Sequence, residues 1–126
     1  MQRDELYYFA HPYTIKDKNK NNVHGAQEAN FNLCCIRTAE LLKKGYKIYS
    51  PIVHSHPIHI RDPKFLKSNE YKLWIELDKA MINKTKFDGI ILAPEWRTSK
   101  GCMNEYKEFR KKGSKILFYE DIIKEE

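Results

Sequence analysis

The chain has 126 residues, of which 41% are hydrophobic and 32% charged; this composition is typical of one globular domain over residues 1–126 and excludes a disordered tail. No apolar run approaches the about 18–20 residues that a membrane span requires, and the first residues, MQRDELYYFA, carry acids where a signal peptide is basic and then apolar, so we expect a cytoplasmic protein. The net charge of +6 favours anionic partners, either nucleic acid or a small phosphorylated metabolite.

The first half of the chain predicts two strands separated by a long helix. The run LYYFA at residues 6–10 is apolar and aromatic and ends at a His-Pro pair, which is typical of a buried strand. Apolar residues at helical spacing predict a helix over residues 23–44. The run YKIYS at residues 46–50 predicts the second strand, and the proline-containing residues 51–65 predict a long loop of the kind that is functional or mobile.

The second half predicts two further helix–strand units. Residues 69–83 carry an apolar stripe at helical spacing and predict a helix. The nearly continuous apolar run FDGIILAP at residues 87–94 is typical of a strand that is buried on both faces. Residues 102–112 predict another helix, and KILFY at residues 115–119 predicts the fourth strand.

Alternating strands and helices predict an α/β fold with a parallel sheet and helices on both faces. In such a sheet, ligands bind beyond the carboxyl ends of the strands. The segments at those ends therefore supply the candidate substrate-binding residues, which are His11, Pro12, His56, Trp96, Ser99 and Gly101.

Two acids are candidates for catalysis. Glu105 lies near the predicted start of a helix, where backbone N–H groups and the helix dipole would keep a carboxylate ionised, although it could equally be an acid that caps the helix. Asp78 is a poor helix former in the middle of a helix, and it lies either on a solvated face or toward the strand ends. In the second case the two form a carboxylate pair of the kind that cleaves glycosidic bonds.

The remaining polar residues give weaker indications. Asp88 comes at the start of the third strand, away from the strand ends, and is interpreted as structural, whereas Glu95 is close to the candidate edge. His54, His56 and His59 offer a rival metal site, but no H-E-x-x-H or C-x-x-C pattern accompanies them. We therefore expect no metal and no other cofactor.

Five motifs, in this order and spacing, resemble the nucleoside 2-deoxyribosyltransferase-like superfamily, and in particular a small branch with Y-L-A-x-P-Y and S-P-I-x-H-S-H-P sequences. The resemblance covers nearly the whole chain and implies a flavodoxin-like three-layer sandwich with a parallel sheet of four or five strands. The motifs are YFAHPY (residues 8–13), SPIVHSHPI (50–58), W-x-x-x-D (74–78), D-x-x-x-L (88–92) and W-x-x-S-x-G-x-x-x-E (96–105).

The resemblance implies cleavage of the N-glycosidic bond of deoxynucleosides or their monophosphates. It assigns Glu105 as the nucleophile that forms a glycosyl-enzyme intermediate, Asp78 as the acid that protonates the leaving base, and Tyr8 as the residue that orients the nucleophile. It also implies a homodimer or higher homo-oligomer whose sites are often completed by a neighbouring subunit.

Ser99, six residues before Glu105, favours a phosphorylated substrate. In the superfamily, transferases of free nucleosides carry an acid at this position, whereas deoxynucleoside 5′-monophosphate N-glycosidases carry a serine that donates to the phosphate. Gly101 would let the backbone approach the sugar. His11 departs from the glycosidase pattern, which has glycine there; it would either crowd the phosphate or, if protonated, donate to it. Cys102 is interpreted as a packing residue.

Three functions remain open at this stage. The first is hydrolysis or transfer at the N-glycosidic bond of a (deoxy)nucleoside 5′-monophosphate. The second is a nucleotide-sensing module that binds without turnover. The third, and least expected, is a basic nucleic-acid-binding protein, because the lysines are spread along the chain without interleaved aromatic residues.

Overall fold

The computed structural model describes residues 4–15, 18–19, 23–61 and 70–125. Its centre is a sheet of four parallel strands in the spatial order β2-β1-β3-β4, flanked by helices on both faces. This confirms the predicted α/β three-layer sandwich of the flavodoxin-like type. The strands are β1 (Leu6–Ala10), β2 (Lys47–Tyr49), β3 (Gly89–Leu92) and β4 (Lys115–Phe118).

Five α-helices and one 3₁₀ turn connect and cover these strands in the part of the chain that the structure describes. Each of the five helices directly precedes or follows a strand along the chain, and the connections between the parallel strands run through helices. The helices are α1 (Ala26–Lys43), α2 (Pro51–Arg61), α3 (Glu70–Lys84), α4 (Lys100–Lys111) and α5 (Tyr119–Lys124), and the 3₁₀ turn is Trp96–Thr98.

The sheet separates two apolar layers because side chains alternate along each strand. On β1, Tyr7 and Phe9 face one side and pack with residues of α1, α2 and α5. Tyr8 and Ala10 face the other side and pack with residues of α3 and α4. The sheet therefore separates the side chains between Tyr8 and α4 from the layer that contains α1 and α2.

The amino ends of the strands are held by backbone contacts. Asp88 Oδ2 accepts the N–H of Leu6 at 2.8 Å, which confirms the interpretation of Asp88 as a structural residue. Gly89 lies so close to β4 that a Cβ atom there would be 2.4 Å from the carbonyl oxygen of Lys115, so only glycine fits. Asp88 and Gly89 fix this edge and leave the carboxyl edge for a site.

The predicted loop over residues 51–65 is wrong as far as residue 61, because α2 occupies Pro51–Arg61; residues 62–65 lie outside the described residues. Proline is well tolerated at the first position of a helix, where its missing N–H has no partner to lose, and Pro51 stands there. Pro57 lies inside the helix at a cost, but Ile52 and His56, one turn apart, are both buried on the same side. Burial on that side outweighs the sequence signal of the prolines.

The chain beyond β4 also differs from the prediction. The fourth strand ends at Phe118 instead of residue 119, and α5 follows directly. Glu120 and Asp121 lie in the first turn of α5, where acids stabilise a helix start, and this was the sequence signal for the helix. Ile122 of α5 is buried in the layer that contains α1.

Candidate active site

The turn from β3 into α4 sets the position of Glu105. Ser99 is the N-cap of α4, and its Oγ accepts the N–H of Cys102 at 3.2 Å. The helix therefore starts at Lys100, two residues before the prediction, and Glu105 is its sixth residue. A capping-box acid would occupy the third helical position, which is Cys102, so the capping interpretation of Glu105 is wrong. Cys102 is buried, as expected for a packing residue.

Tyr8 holds the Glu105 carboxylate from the sheet. Its hydroxyl donates to Glu105 Oε2 across 97 residues of sequence. The Tyr8 side chain is fully buried, with ring centroids of Phe87 and Phe109 both 5.5 Å away. Because these rings fix the tyrosine, its hydroxyl is a rigid donor that orients one oxygen of the carboxylate.

The Glu105 carboxyl group has a strongly raised pKa. Burial raises this pKa, the hydrogen bond from Tyr8 lowers it and the charge of Asp78 raises it, and together these causes move it from 4.5 to about 8. The expectation that the helix start keeps Glu105 ionised is therefore wrong. In the second turn of α4, removal of water from the carboxylate outweighs the helix dipole, which acts only within the first turn.

Asp78 belongs to the same cluster. It lies on α3, and burial raises its pKa to about 6. Its charge also raises the pKa values of Tyr8, Tyr49 and Glu105, which requires that it faces these groups. Asp78 is thus not on a solvated helix face, and its carboxyl group is close enough to Glu105 for its charge to raise the pKa of Glu105.

A second polar cluster crosses the carboxyl edge of the sheet at Arg37. This residue of α1 donates to both carboxylate oxygens of Glu95, at 2.8 and 3.0 Å, and to His11 Nε2 at 3.0 Å. Its guanidinium group also lies over the ring of Tyr119, 5.3 Å from the centroid. Arg37 therefore ties α1 to the ends of β1 and β3.

His11 is engaged within this cluster. Because Arg37 donates to Nε2, the ring proton is on Nδ1, which donates to the carbonyl oxygen of Pro12 at 2.9 Å. Burial lowers the pKa of His11, the Pro12 carbonyl opposes this, and the neighbouring charge of Arg37 lowers the pKa further. His11 is thus neutral with both ring nitrogens bonded, and the expected role of a protonated donor to a phosphate does not fit this geometry.

The family described as a domain of unknown function, DUF1937, matches residues 5–121. The chain belongs to this family. A comparison with curated proteins found no match. The carboxylate pair and the Arg37 cluster both fall within the matched DUF1937 region.

Trp96 and Gly101 flank the Glu105 site of this DUF1937 domain. Trp96 is partly buried against the layer that contains Tyr8, and its ring centroid is 4.8 Å from that of Tyr106. Gly101 is exposed, and a Cβ atom there would meet only Ser99 Oγ at 3.8 Å, which is ordinary contact. The packing of the domain does not itself require glycine, so the role of Gly101 toward a sugar stays a prediction.

His56 lies in the other layer. Its Nδ1 is 2.6 Å from the Tyr13 hydroxyl and its Nε2 is 3.1 Å from Glu28 Oε1, while its ring centroid is 4.4 Å from that of Phe31, with the two ring planes tilted by 30°. These contacts place His56 with α1 and α2, across the sheet from Glu105, because the predicted loop is a helix. Among the described residues no group of three or more histidine, cysteine or acidic side chains is arranged to hold a metal ion.

Arg37 is the site residue that sequence reasoning missed. It is one of several cations on a helix, and its partner Glu95 is 58 residues away, so no local pattern indicated the contact. The start of α4, by contrast, had a signal, since serine is a preferred N-cap residue. None of the helices in the described ranges is long and apolar enough to cross a bilayer.

Proposed function

We propose that this protein cleaves the N-glycosidic bond of a (deoxy)nucleoside 5′-monophosphate through a covalent glycosyl-enzyme intermediate. The observation that carries the proposal is the pair Asp78 and Glu105, one carboxyl oriented by Tyr8 and both with raised pKa values. Retaining glycosidic chemistry uses two carboxyl groups, one as nucleophile and one as acid. The resemblance of the five motifs to nucleoside 2-deoxyribosyltransferase-like proteins supports the same assignment.

In the first step, a Glu105 carboxylate oxygen attacks the anomeric carbon of the sugar. The bond from that carbon to the base nitrogen breaks, the electron pair goes to the base, and Asp78 gives its proton to the base. Tyr8 holds Glu105 Oε2, so Oε1 is the attacking oxygen. In the second step, water or a second base attacks the same carbon, Asp78 takes up the proton of that nucleophile, and Glu105 is released as a carboxylate.

The chemistry requires a proton to move within the pair. In the free protein burial raises the pKa of both carboxyl groups and so favours their protonated forms, whereas the reaction needs Glu105 ionised and the proton on Asp78. Two effects favour the transfer: the Tyr8 hydroxyl stabilises the Glu105 anion, and positive charge that develops on the sugar does the same. A bound nucleobase that accepts a hydrogen bond from protonated Asp78 also favours the transfer of the proton to Asp78.

The turn before Glu105 offers a site for the 5′-phosphate. The Ser99 oxygen accepts the N–H of Cys102, so its own O–H is oriented by the helix start and would donate to a phosphate oxygen. The N-terminus of a twelve-residue helix favours an anion, and the exposed side chains of Arg97 and Lys100 add positive charge. A carboxylate in place of Ser99 would repel the phosphate.

The test is incubation with a panel of nucleosides and their 5′-monophosphates, followed by chromatography for free base. We expect base release from a 5′-monophosphate and none from Glu105→Gln. Glu108→Gln is the matched control, because Glu108 is an exposed acid on the same helix. Full turnover by Glu105→Gln would refute the nucleophile assignment. Equal loss in both variants would do the same.

A second candidate function, nucleotide binding without turnover, is favoured by one observation. With a pKa of about 8, Glu105 is largely protonated at neutral pH in the free protein, and a protonated carboxyl is a poor nucleophile. In this case a 5′-monophosphate would raise the melting temperature while no base appears over long incubation. The same substrate panel therefore distinguishes the two candidates.

The resemblance also leads us to propose a homodimer or higher homo-oligomer that acts in the cytoplasm. Light scattering on the protein eluting from a size-exclusion column measures the oligomeric mass directly, and a single 15.1 kDa species would refute the first part. Fractionation of cells tests the second part.

A further inference from the structure

One side of α4 is cationic along its whole length. Positions 100, 103, 107 and 110 are three or four residues apart and therefore share a face of the helix. Lys100, Lys107 and Arg110 are exposed there, and Met103 between them is 37% exposed. The exposed acid Glu108 follows Lys107 directly and is therefore rotated by about 100° from it, so it lies beside this face and not on it. The face is about 18 Å long.

Aromatic rings and two arginines adjoin this face. The Trp96 and Tyr106 ring centroids are 4.8 Å apart. The Arg97 guanidinium lies 5.2 Å from the Trp96 centroid, and that of Arg110 lies 6.0 Å from the Tyr106 centroid. Arg110 also donates to the Tyr106 hydroxyl at 3.2 Å. The result is an alternating row of guanidinium groups and rings. The sequence does not predict this row, because its members come from the 3₁₀ turn and from the middle of α4.

We propose that this cationic aromatic face binds single-stranded nucleic acid. Proteins that bind single strands combine cations that follow the phosphate backbone with rings on which bases stack, and arginine contributes through cation–π contacts. Both kinds of group are exposed or partly exposed here. The face consists of Trp96, Arg97, Lys100, Tyr106, Lys107 and Arg110.

The same residues favour a single strand over the other polyanions. In a duplex the base faces are stacked inside, so the rings would have nothing to contact. An anionic membrane surface is bound by lysines together with a broad apolar face, whereas the large apolar side chain exposed on this side of α4 is Met103 alone. The face shares Arg97 and Lys100 with the proposed 5′-phosphate site but does not include Glu105, which lies on the side of α4 toward Tyr8. The proposal reverses the sequence-based expectation that nucleic acid is an unlikely partner.

The direct test is fluorescence anisotropy of a labelled oligothymidylate of about 12 nucleotides, titrated with the wild-type protein at several salt concentrations. With about four phosphates contacted, the slope of log K against log salt for a single strand is about −3, and affinity falls by about 50-fold between 50 and 200 mM salt. In a Trp74→Phe variant, Trp96 is the remaining tryptophan, and its fluorescence should change as bases stack.

Matched double variants locate the binding face. We expect Lys107→Ala with Arg110→Ala to make the salt slope less negative by about 1.4, because two phosphate contacts are lost. Lys43→Ala with Lys47→Ala removes the same charge at exposed positions away from α4 and should leave the slope unchanged. Glu105→Gln should bind like wild type, which separates this proposal from the proposed function.

Three outcomes would each overturn the proposal. They are the absence of saturable binding by wild type, binding of a duplex as tight as that of the single strand, and an equal change of slope in the two double variants. The third outcome would mean that net charge, and not this face, attracts the strand.

Discussion

Replacing Glu105 by glutamine should stabilise the fold at alkaline pH. The native pKa of about 8 lies above the ordinary value of 4.5, so the folded protein binds this proton more tightly than the unfolded chain does. The contribution of this group to the free energy of unfolding is therefore fully present below about pH 4.5. It is lost as the pH rises toward 8, and above about pH 8 it does not change further. Glutamine keeps the shape and still accepts the Tyr8 hydrogen bond, but it carries no charge to desolvate.

The magnitude follows from the two pKa values. At about 1.4 kcal/mol per pH unit, the difference between 4.5 and about 8 sets an upper limit of about 5 kcal/mol. Because Glu105 is partly exposed, solvent screening reduces this, and we expect about 2–3 kcal/mol. The variant should thus gain stability relative to wild type between about pH 5 and pH 8 and then hold that gain.

The assay is urea unfolding followed by circular dichroism at about pH 5, 7 and 9, for wild type, Glu105→Gln and the exposed control Glu108→Gln. The free energy of unfolding of Glu105→Gln, minus that of wild type, should grow across this range, whereas the difference for the control stays small. A difference for Glu105→Gln that does not change with pH would refute the assignment of a desolvated carboxyl at this position.

Three further changes test the neighbours of Glu105. Asp78→Asn should lower the rate of base release by about 10²–10⁴-fold and remove one limb of the pH–rate profile, because the general acid is lost. Tyr8→Phe keeps the ring and loses a hydrogen bond to a charged group, so we expect kcat to fall by about 10–100-fold and a pH titration followed by NMR to show a higher pKa for Glu105. Arg37→Gln should lower the free energy of unfolding by about 1 kcal/mol in urea titrations, since the buried His11 Nε2 loses its donor, whereas water can replace the bonds to the exposed Glu95. Unchanged stability of that variant would mean that the Arg37 cluster is not structural.

The sheet could be predicted from the sequence because its strands are short apolar runs. The predicted first strand, residues 6–10, has the same bounds as β1 (Leu6–Ala10), and the run at residues 87–94 contains β3 (Gly89–Leu92). Burial on both faces demands apolar residues at every position of these central strands, and that demand is visible without tertiary information. The order of elements then sufficed for the parallel topology.

The parts that the sequence did not predict depend on tertiary contacts. The prolines of residues 51–61 indicated a loop, but burial of Ile52 and His56 on one side makes the segment a helix. The pKa of Glu105 is raised by its burial in the fold, whereas its place near a predicted helix start indicated an ionised carboxylate with a low pKa. The contact between Trp96 and Tyr106 joins two elements that look independent in sequence.

Four carboxylates of this chain differ in what they contribute to the fold. Asp88 accepts a backbone N–H at the sheet edge, and Glu95 is paired with Arg37, which lowers the pKa of Glu95. In both cases a hydrogen bond or an ion pair stabilises the ionised carboxylate in the fold. Asp78 and Glu105 instead raise the pKa values around them and have burial as the largest cause of their own shifts. At neutral pH, neutral side chains of the same shape at these two positions would give a larger free energy of unfolding. Acids kept at such a cost, at the carboxyl side of a parallel sheet, are typical of sites that use the proton.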